Sequence, residues 1–104
     1  MLENCTLMCL IIEFLGTFVF LSVILGTGMA LPIGLTLSAV IWFGGKFSGG
    51  HFNPAVSFMM YLNKKIPFEK MILYIIVQLL GGAGACFYIT TAERERKVKH
   101  YLKE

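Results

Sequence analysis

Ser48-Gly49-Gly50-His51-Phe52-Asn53-Pro54-Ala55-Val56-Ser57 is the stretch that decides how this chain folds. Asn is a strong N-cap, because its side-chain oxygen accepts a hydrogen bond from a first-turn N–H. Pro suits the first helical position, where its fixed φ is right and its missing N–H costs little. A short helix over Ala55 to Leu62 therefore begins abruptly at Pro54, with its orphan donors aimed at Asn53. Its macrodipole places roughly +0.5 of a charge at that end. With Oδ1 used for capping, the NH2 of Asn53 stays free to donate. Upstream, Ser48 to His51 is glycine-rich and uncharged, and is expected as extended backbone. Its glycines permit close packing and unusual φ, and the carbonyls of Gly49, Gly50 and His51 would line up as a row of acceptors.

The flanks explain why such a segment is not an ordinary surface loop. The chain has 104 residues, 57% of them hydrophobic, only 14% charged, and a mean hydropathy of +0.75. A soluble domain carries about 25% charged residues. Apolar runs over about 5–25, 29–46 and 71–92 predict membrane helices, which need roughly 20 residues each. Gly26-Thr27-Gly28 reads as a turn, and Pro32 fits the first turn of the second helix. The expected fold is an all-α membrane protein: three transmembrane helices plus one re-entrant half-helix, with loop and half-helix over 47–62. Irregular backbone inside a bilayer is tolerated only where it packs in protein or lines a water-filled cavity. Residues 93–104 carry eight charges and read as a solvated helix or a frayed, charged tail.

Several function classes drop out. The chain is too apolar for a nucleic-acid partner, despite a net charge of +3. There is no Asp, and neither His51 nor His100 has an evident base or nucleophile beside it, so no catalytic constellation is visible. Cys5, Cys9 and Cys86 lie in or near apolar segments and read as buried thiols rather than a disulfide framework or metal site. No cofactor or metal is expected. Glu13 breaks the first span, where a charge is expensive and usually functional; it is either a structural buttress or a proton carrier.

The decisive stretch is similar to the first signature of the major intrinsic protein (aquaporin and aquaglyceroporin) family, Ser-Gly-Ala-His-x-Asn-Pro-Ala-Val-Thr. Gly50 replaces Ala and Ser57 replaces Thr. Glu13-Phe14-Leu15-Gly16-Thr17 resembles the family's first-helix pattern, and Tyr74-Ile75-Ile76-Val77-Gln78 with Gly81 and Gly84-Ala85 its third helix. The resemblance runs in order to about Thr91, making residues 1–92 an aquaporin-like half-repeat. It implies that Asn53, at the head of Asn53-Pro54-Ala55, is a pore donor, that His51 lies near the lumen, and that Glu13 and Gln78 buttress the loop. It also implies that Ile33 stands where the family places one selectivity-filter residue; an aliphatic side chain there speaks against strict water selectivity.

The implied activity is passive conduction of water or small neutral solutes such as glycerol. Family chains carry two inverted repeats, whereas this sequence holds one Asn-Pro-Ala and no Arg following a second. A lone half would leave bare backbone against lipid, so a complementary half-channel or further copies must cover it. With three crossings, Lys46, Lys64, Lys65 and Lys70 fall on one side. Arg94, Arg96, Lys97, Lys99 and Lys103 fall on the other. Four against five gives almost no orientation bias, so an antiparallel homodimer, or a tetramer of such pairs, is one expected assembly. A non-conducting subunit that joins a channel partner, and a small proton-coupled transporter using Glu13, are the competing readings. Dual insertion predicts that reporters on both termini are labelled from outside sealed vesicles; labelling of one terminus alone excludes it.

Overall fold

A computed structural model describes residues 6–103. The chain forms four helices: α1 (Thr6–Thr27), α2 (Ala30–Ser48), α3 (Pro54–Leu62) and α4 (Phe68–Lys103), with no strand among the described residues. α1, α2 and α4 are each long and apolar enough to cross a membrane. The nine residues of α3 reach about 14 Å at 1.5 Å per residue, half of a hydrocarbon core about 30 Å thick. The protein is thus a multi-pass integral membrane protein with three crossings and one half-length helix. α1 is the centre: α2 and α4 pack against it, and α3 packs on α4.

The interior is polar and the exterior apolar, the inverse of a soluble domain. Glu13, Thr17, Ser48, His51, Ser57 and Gln78 are buried, whereas Trp42 is 73% and Phe87 76% exposed. Lipid is as apolar as any core, so outward-facing apolar side chains need no cover, and the polar groups gather where they can satisfy one another.

Two boundaries differ from the sequence expectation. α2 runs to Ser48 rather than 46, because the left-handed Gly49 (φ 96°) ends it, its N–H donating to the Gly45 carbonyl. Lys46 in that last turn also suits the negative helix end. α4 starts at Phe68 and continues through Ala92 to Lys103 without a break. After Gly84 it meets no breaker, and the Glu, Arg and Lys residues of its last turns are good helix formers. Its 36 residues span about 54 Å, so the charged end projects beyond any bilayer. At the other hairpin, Thr27 Oγ1 accepts from the Met29 N–H while donating to the Val23 carbonyl.

Helix contacts rest on missing side chains. A Cβ on Gly81 would lie 2.9 Å from the Phe14 carbonyl oxygen and 3.2 Å from the Phe18 nitrogen, so α4 touches α1 backbone to backbone there. A Cβ on Gly16 would lie 2.2 Å from the Phe52 ring, and one on Gly44 would lie 3.2 Å from it. Phe52, 1% exposed, is therefore wedged into a slot that two glycines leave between α1 and α2.

The cysteine reading needs correction. Cys86 is a free thiol but exposed, because an apolar neighbourhood on a lipid-facing helix does not mean burial. Cys9 is buried, with its Sγ 3.0 Å from the Phe47 carbonyl oxygen, but it is disulfide-bonded rather than a thiol. Cys5 lies outside the described residues. Because the atoms facing Gly81 are backbone and cannot swing aside, Gly81→Ala should destabilise the fold by about 1–3 kcal/mol, measured by denaturant unfolding in detergent micelles. The lipid-facing Phe87→Leu should leave stability unchanged.

Candidate functional site

The site grows from one carboxylate. Glu13, in the second turn of α1, is fully buried. Its Oε2 accepts from the Ser48 hydroxyl at 2.7 Å and the His51 N–H at 3.1 Å. Its Oε1 accepts from the Phe52 N–H at 2.7 Å and Gln78 Nε2 at 2.9 Å. Four donors, from the end of α2, the loop and α4, thus converge on one side chain of α1. Hydrogen bonds to a charged acceptor are the strong ones, about twice a neutral pair.

Converging successive N–H groups demands unusual backbone. Gly49 and Gly50 have φ of 96° and 70°, and Phe52, without glycine's freedom, has φ of 52°. Such a value is uncommon for a bulky residue and persists only where the surroundings dictate it. Here the Glu13 bond to its N–H and the ring wedge described above both hold Phe52. Gly50 adds a third tie, its N–H donating to the Ser48 hydroxyl at 3.2 Å. With the N–H groups of residues 50–52 committed to the Glu13 side, no donor among the described residues reaches the carbonyls of Gly49, Gly50 or His51.

A second layer supports the first. Gln78 uses its other amide hydrogen on Ser57 Oγ at 2.9 Å, and Ser57 Oγ is hydrogen-bonded to His51 Nδ1 at 2.8 Å. The Tyr74 hydroxyl donates to the Ser48 carbonyl at 2.6 Å, and its ring packs edge-on against His51 with centroids 5.0 Å apart. Tyr74 and Gln78 stand one α4 turn apart and so act from one face.

At the head of α3, Asn53 Oδ1 accepts from the Ala55 N–H at 2.8 Å, and its carbonyl accepts from Val56 and Ser57 at 3.0 and 3.2 Å. Pro54 has no N–H, so Asn53 satisfies every donor of the first turn. The backbone donors from Ala55 to Ser57 are therefore all satisfied, unlike the sequence expectation, which assigned one of them to the cap. What the tip presents is the Asn53 side-chain NH2, in an exposed position and without a hydrogen-bond acceptor among the described residues, at the positive end of the half-helix.

The structure brings Glu13, Gln78, Gly49, Gly50, His51, Asn53, Pro54 and Ala55 together. His51 is buried, its ring turned toward Ser57 and Tyr74. Ile33 stands apart, half-buried in the first turn of α2, at the opposite end of that helix from the loop. Sequence reasoning gave no role to Ser48, Phe52, Ser57 or Tyr74. A signal existed for two of them: Tyr74 lies four residues before Gln78, and Ser57 lies one turn into the helix Asn53 caps. No group of three or more His, Cys, Asp or Glu suited to a metal occurs among the described residues.

Comparison with known proteins places these features in context. Residues 24–103 match the family model described as major intrinsic protein. The chain is 44% identical over 84 residues to the glycerol uptake facilitator protein-like 6 of Lactiplantibacillus plantarum, covering 70% of this chain and 38% of that protein. It is 35% identical over 99 residues to aquaporin-4 of Mus musculus, covering 75% of this chain and 30% of that protein. It is 37% identical over 94 residues to aquaglyceroporin-2 of Rhizophagus irregularis, covering 74% and 30% respectively. The chain thus spans about a third of the length of the curated relatives it matches. No solved structure matches it significantly.

Glu13→Gln keeps one acceptor oxygen and turns an NH2 toward N–H and O–H groups, leaving buried donors unpaired. It should cost about 3 kcal/mol or more in micelle unfolding, whereas Asn53→Ala, which loses a cap, should cost only about 1 kcal/mol.

Proposed function

Since the chain belongs to the major intrinsic protein family, we propose that it forms one half of a membrane channel for water and small neutral solutes such as glycerol. The observation that carries this reading is the division of labour in the re-entrant loop. Glu13 and Ser48 take the N–H groups of residues 50–52, which leaves the carbonyls of Gly49, Gly50 and His51 as acceptors for a solute that offers O–H donors. The Asn53 amide follows as a donor for the solute's oxygen. A hydroxyl-bearing solute thereby exchanges bulk hydrogen bonds for fixed ones as it moves. The positive end of α3 at mid-membrane repels cations and protons, the device by which half-helix dipoles exclude protons from aquaporin-type pores.

The names of the relatives, a glycerol uptake facilitator and an aquaporin, agree with both solutes. Ile33, in the role of filter residue, adds an aliphatic wall that suits the carbon face of a polyol. Glu13 and Gln78 serve as positioning residues for the loop and touch no solute. The pore wall is completed by an inverted second half, supplied by another copy of this chain or by a complementary half-channel.

The geometry disfavours a proton carrier at Glu13. All four of its partners deliver a hydrogen to it, so a proton on either oxygen would displace a bond that holds the loop.

Stopped-flow swelling of proteoliposomes containing this chain alone tests the proposal. Permeability to water or glycerol should exceed that of empty vesicles. Asn53→Asp should remain folded but admit cations, since its charge offsets the half-charge of about +0.5 at the helix end. No flux from a verified helical preparation would mean a non-conducting subunit, and flux that requires a pH gradient would mean a transporter.

A further inference from the structure

Beyond Ala92, α4 continues as helix with every side chain from Glu93 to Lys103 exposed. The packing below sets its height above the membrane. A Cβ on Gly26, one residue before α1 ends, would lie 3.5 Å from Ile89 Cδ1, so Ile89 stands level with the α1–α2 turn. At 1.5 Å per residue, Glu93 lies about 6 Å and Arg96 about 10 Å farther out. The headgroup layer beyond the hydrocarbon is about 5–7 Å deep. The extension thus starts inside that layer and climbs out of it. Helical side chains lean toward the helix N-terminus, which here is toward the membrane, so the long arms of Arg96 and Lys97 reach back to the headgroups.

One face of this extension carries a cleft of about 600 Å³, lined by Glu93, Arg96, Lys97, His100 and Tyr101. These positions recur three and four apart and so form one stripe of the helix. Arg96, Lys97 and His100 present nitrogen donors, Tyr101 adds a hydroxyl, and Glu93 stands at the foot. Over 93–104, five Arg and Lys face three Glu. Like charge disfavours a second copy of the same stripe as occupant. Basic clusters immediately outside a membrane helix attract acidic lipid, and the bilayer is the one partner that the position of this cleft guarantees. On the loop side, by contrast, Lys46 and Lys70 lie over the rings of Phe47 and Tyr74 at 5.5 and 5.4 Å. Height narrows the class of lipid. His100 and Tyr101 stand about 16 and 18 Å above the turn, so an anion that engages them carries charge well above its phosphodiester.

We propose that this stripe binds a phospholipid whose headgroup bears phosphate beyond its phosphodiester, the polyphosphorylated inositol class, in the leaflet on the tail side. Arg96 and Lys97 hold the phosphodiester and the nearer phosphate, the guanidinium with two parallel bonds. His100 and Tyr101 donate to the outer phosphate. Glu93, one turn below both cations, accepts an inositol hydroxyl and repels a carboxylate lying flat in the headgroup plane. Such a contact supplies the orientation that four basic residues against five leave open. It requires that α4 cross the membrane and is independent of what the chain conducts.

The test embeds the full chain in phosphatidylcholine nanodiscs doped with phosphatidylinositol 4,5-bisphosphate and counts retained lipid by native mass spectrometry. Arg94 and Arg96 provide the comparison. Both are exposed and singly charged; Arg94 is nearer the membrane but on the opposite side of the helix, two residues being about 200° of rotation. Gln is as good a helix former as Arg, so neither variant disturbs the fold. Arg96→Gln should weaken binding about fivefold or more, and Arg94→Gln by no more than about twofold, its charge being screened from the cleft. Phosphatidylserine at matched charge should bind about tenfold more weakly, lacking the charge-assisted bonds to the outer phosphate. Free inositol 1,4,5-trisphosphate should also bind more weakly than the lipid. No retained lipid, or a loss from Arg94→Gln that equals or exceeds that from Arg96→Gln, means a diffuse field and overturns the site. Phosphatidylserine binding equally well overturns the headgroup class, and trisphosphate binding as tightly without acyl chains overturns the assignment to lipid.

Discussion

The structure depends on one buried carboxylate. A re-entrant loop in a bilayer must find partners for every N–H without water, and in this chain Glu13 supplies two of them directly and reaches a third through Ser48. Burying a charge is costly unless hydrogen bonds surround it; here the loop satisfies the charge and the charge satisfies the loop. Neither half of that exchange is stable alone. This mutual requirement also explains why α1, α2, α4 and the loop form one unit although α2 packs on α1 only.

The glycines serve that arrangement by omission. Gly81 lets α4 approach the α1 backbone, which sets Gln78 within reach of Glu13. Gly16 and Gly44 leave the slot that Phe52 fills. Phe52 is then held from both ends, by its N–H on the carboxylate and by its ring in the slot, and the residue that follows it is Asn53. The proposed pore donor is thus positioned by a residue whose own ring is buried against Gly16 and Gly44. Precision at the tip comes from packing behind it.

The same logic organises polarity along the half-helix. Asn53 closes the first turn with its own oxygens, which take the N–H groups of Ala55, Val56 and Ser57 at the positive end of the dipole. The side-chain amide of Asn53 stays free to donate. For a site proposed to handle neutral solutes this is a useful combination. A field repels cations, and a single well-placed donor orients the oxygen of whatever passes.

Much of this was legible in the sequence, and the reasons are local. The Asn-Pro pair determines where α3 starts because capping and fixed φ act within three residues, and apolar runs determine the three crossings because the bilayer is the partner. A lone Glu in such a run announces a buried polar cluster. Only the tertiary structure decided which groups meet it: Ser48, the His51 and Phe52 N–H groups and Gln78 come from positions 35 to 65 residues away, a separation that no local pattern encodes. Phe52 read as the variable letter of a motif, since its role depends on two glycines on different helices. Cys86 read as buried, since an apolar segment looks the same whether it faces protein or lipid. The Oε1 of Gln78, buried without a hydrogen-bond partner among the described residues, was equally invisible, because its isolation arises only when three helices have fixed the other end of the amide.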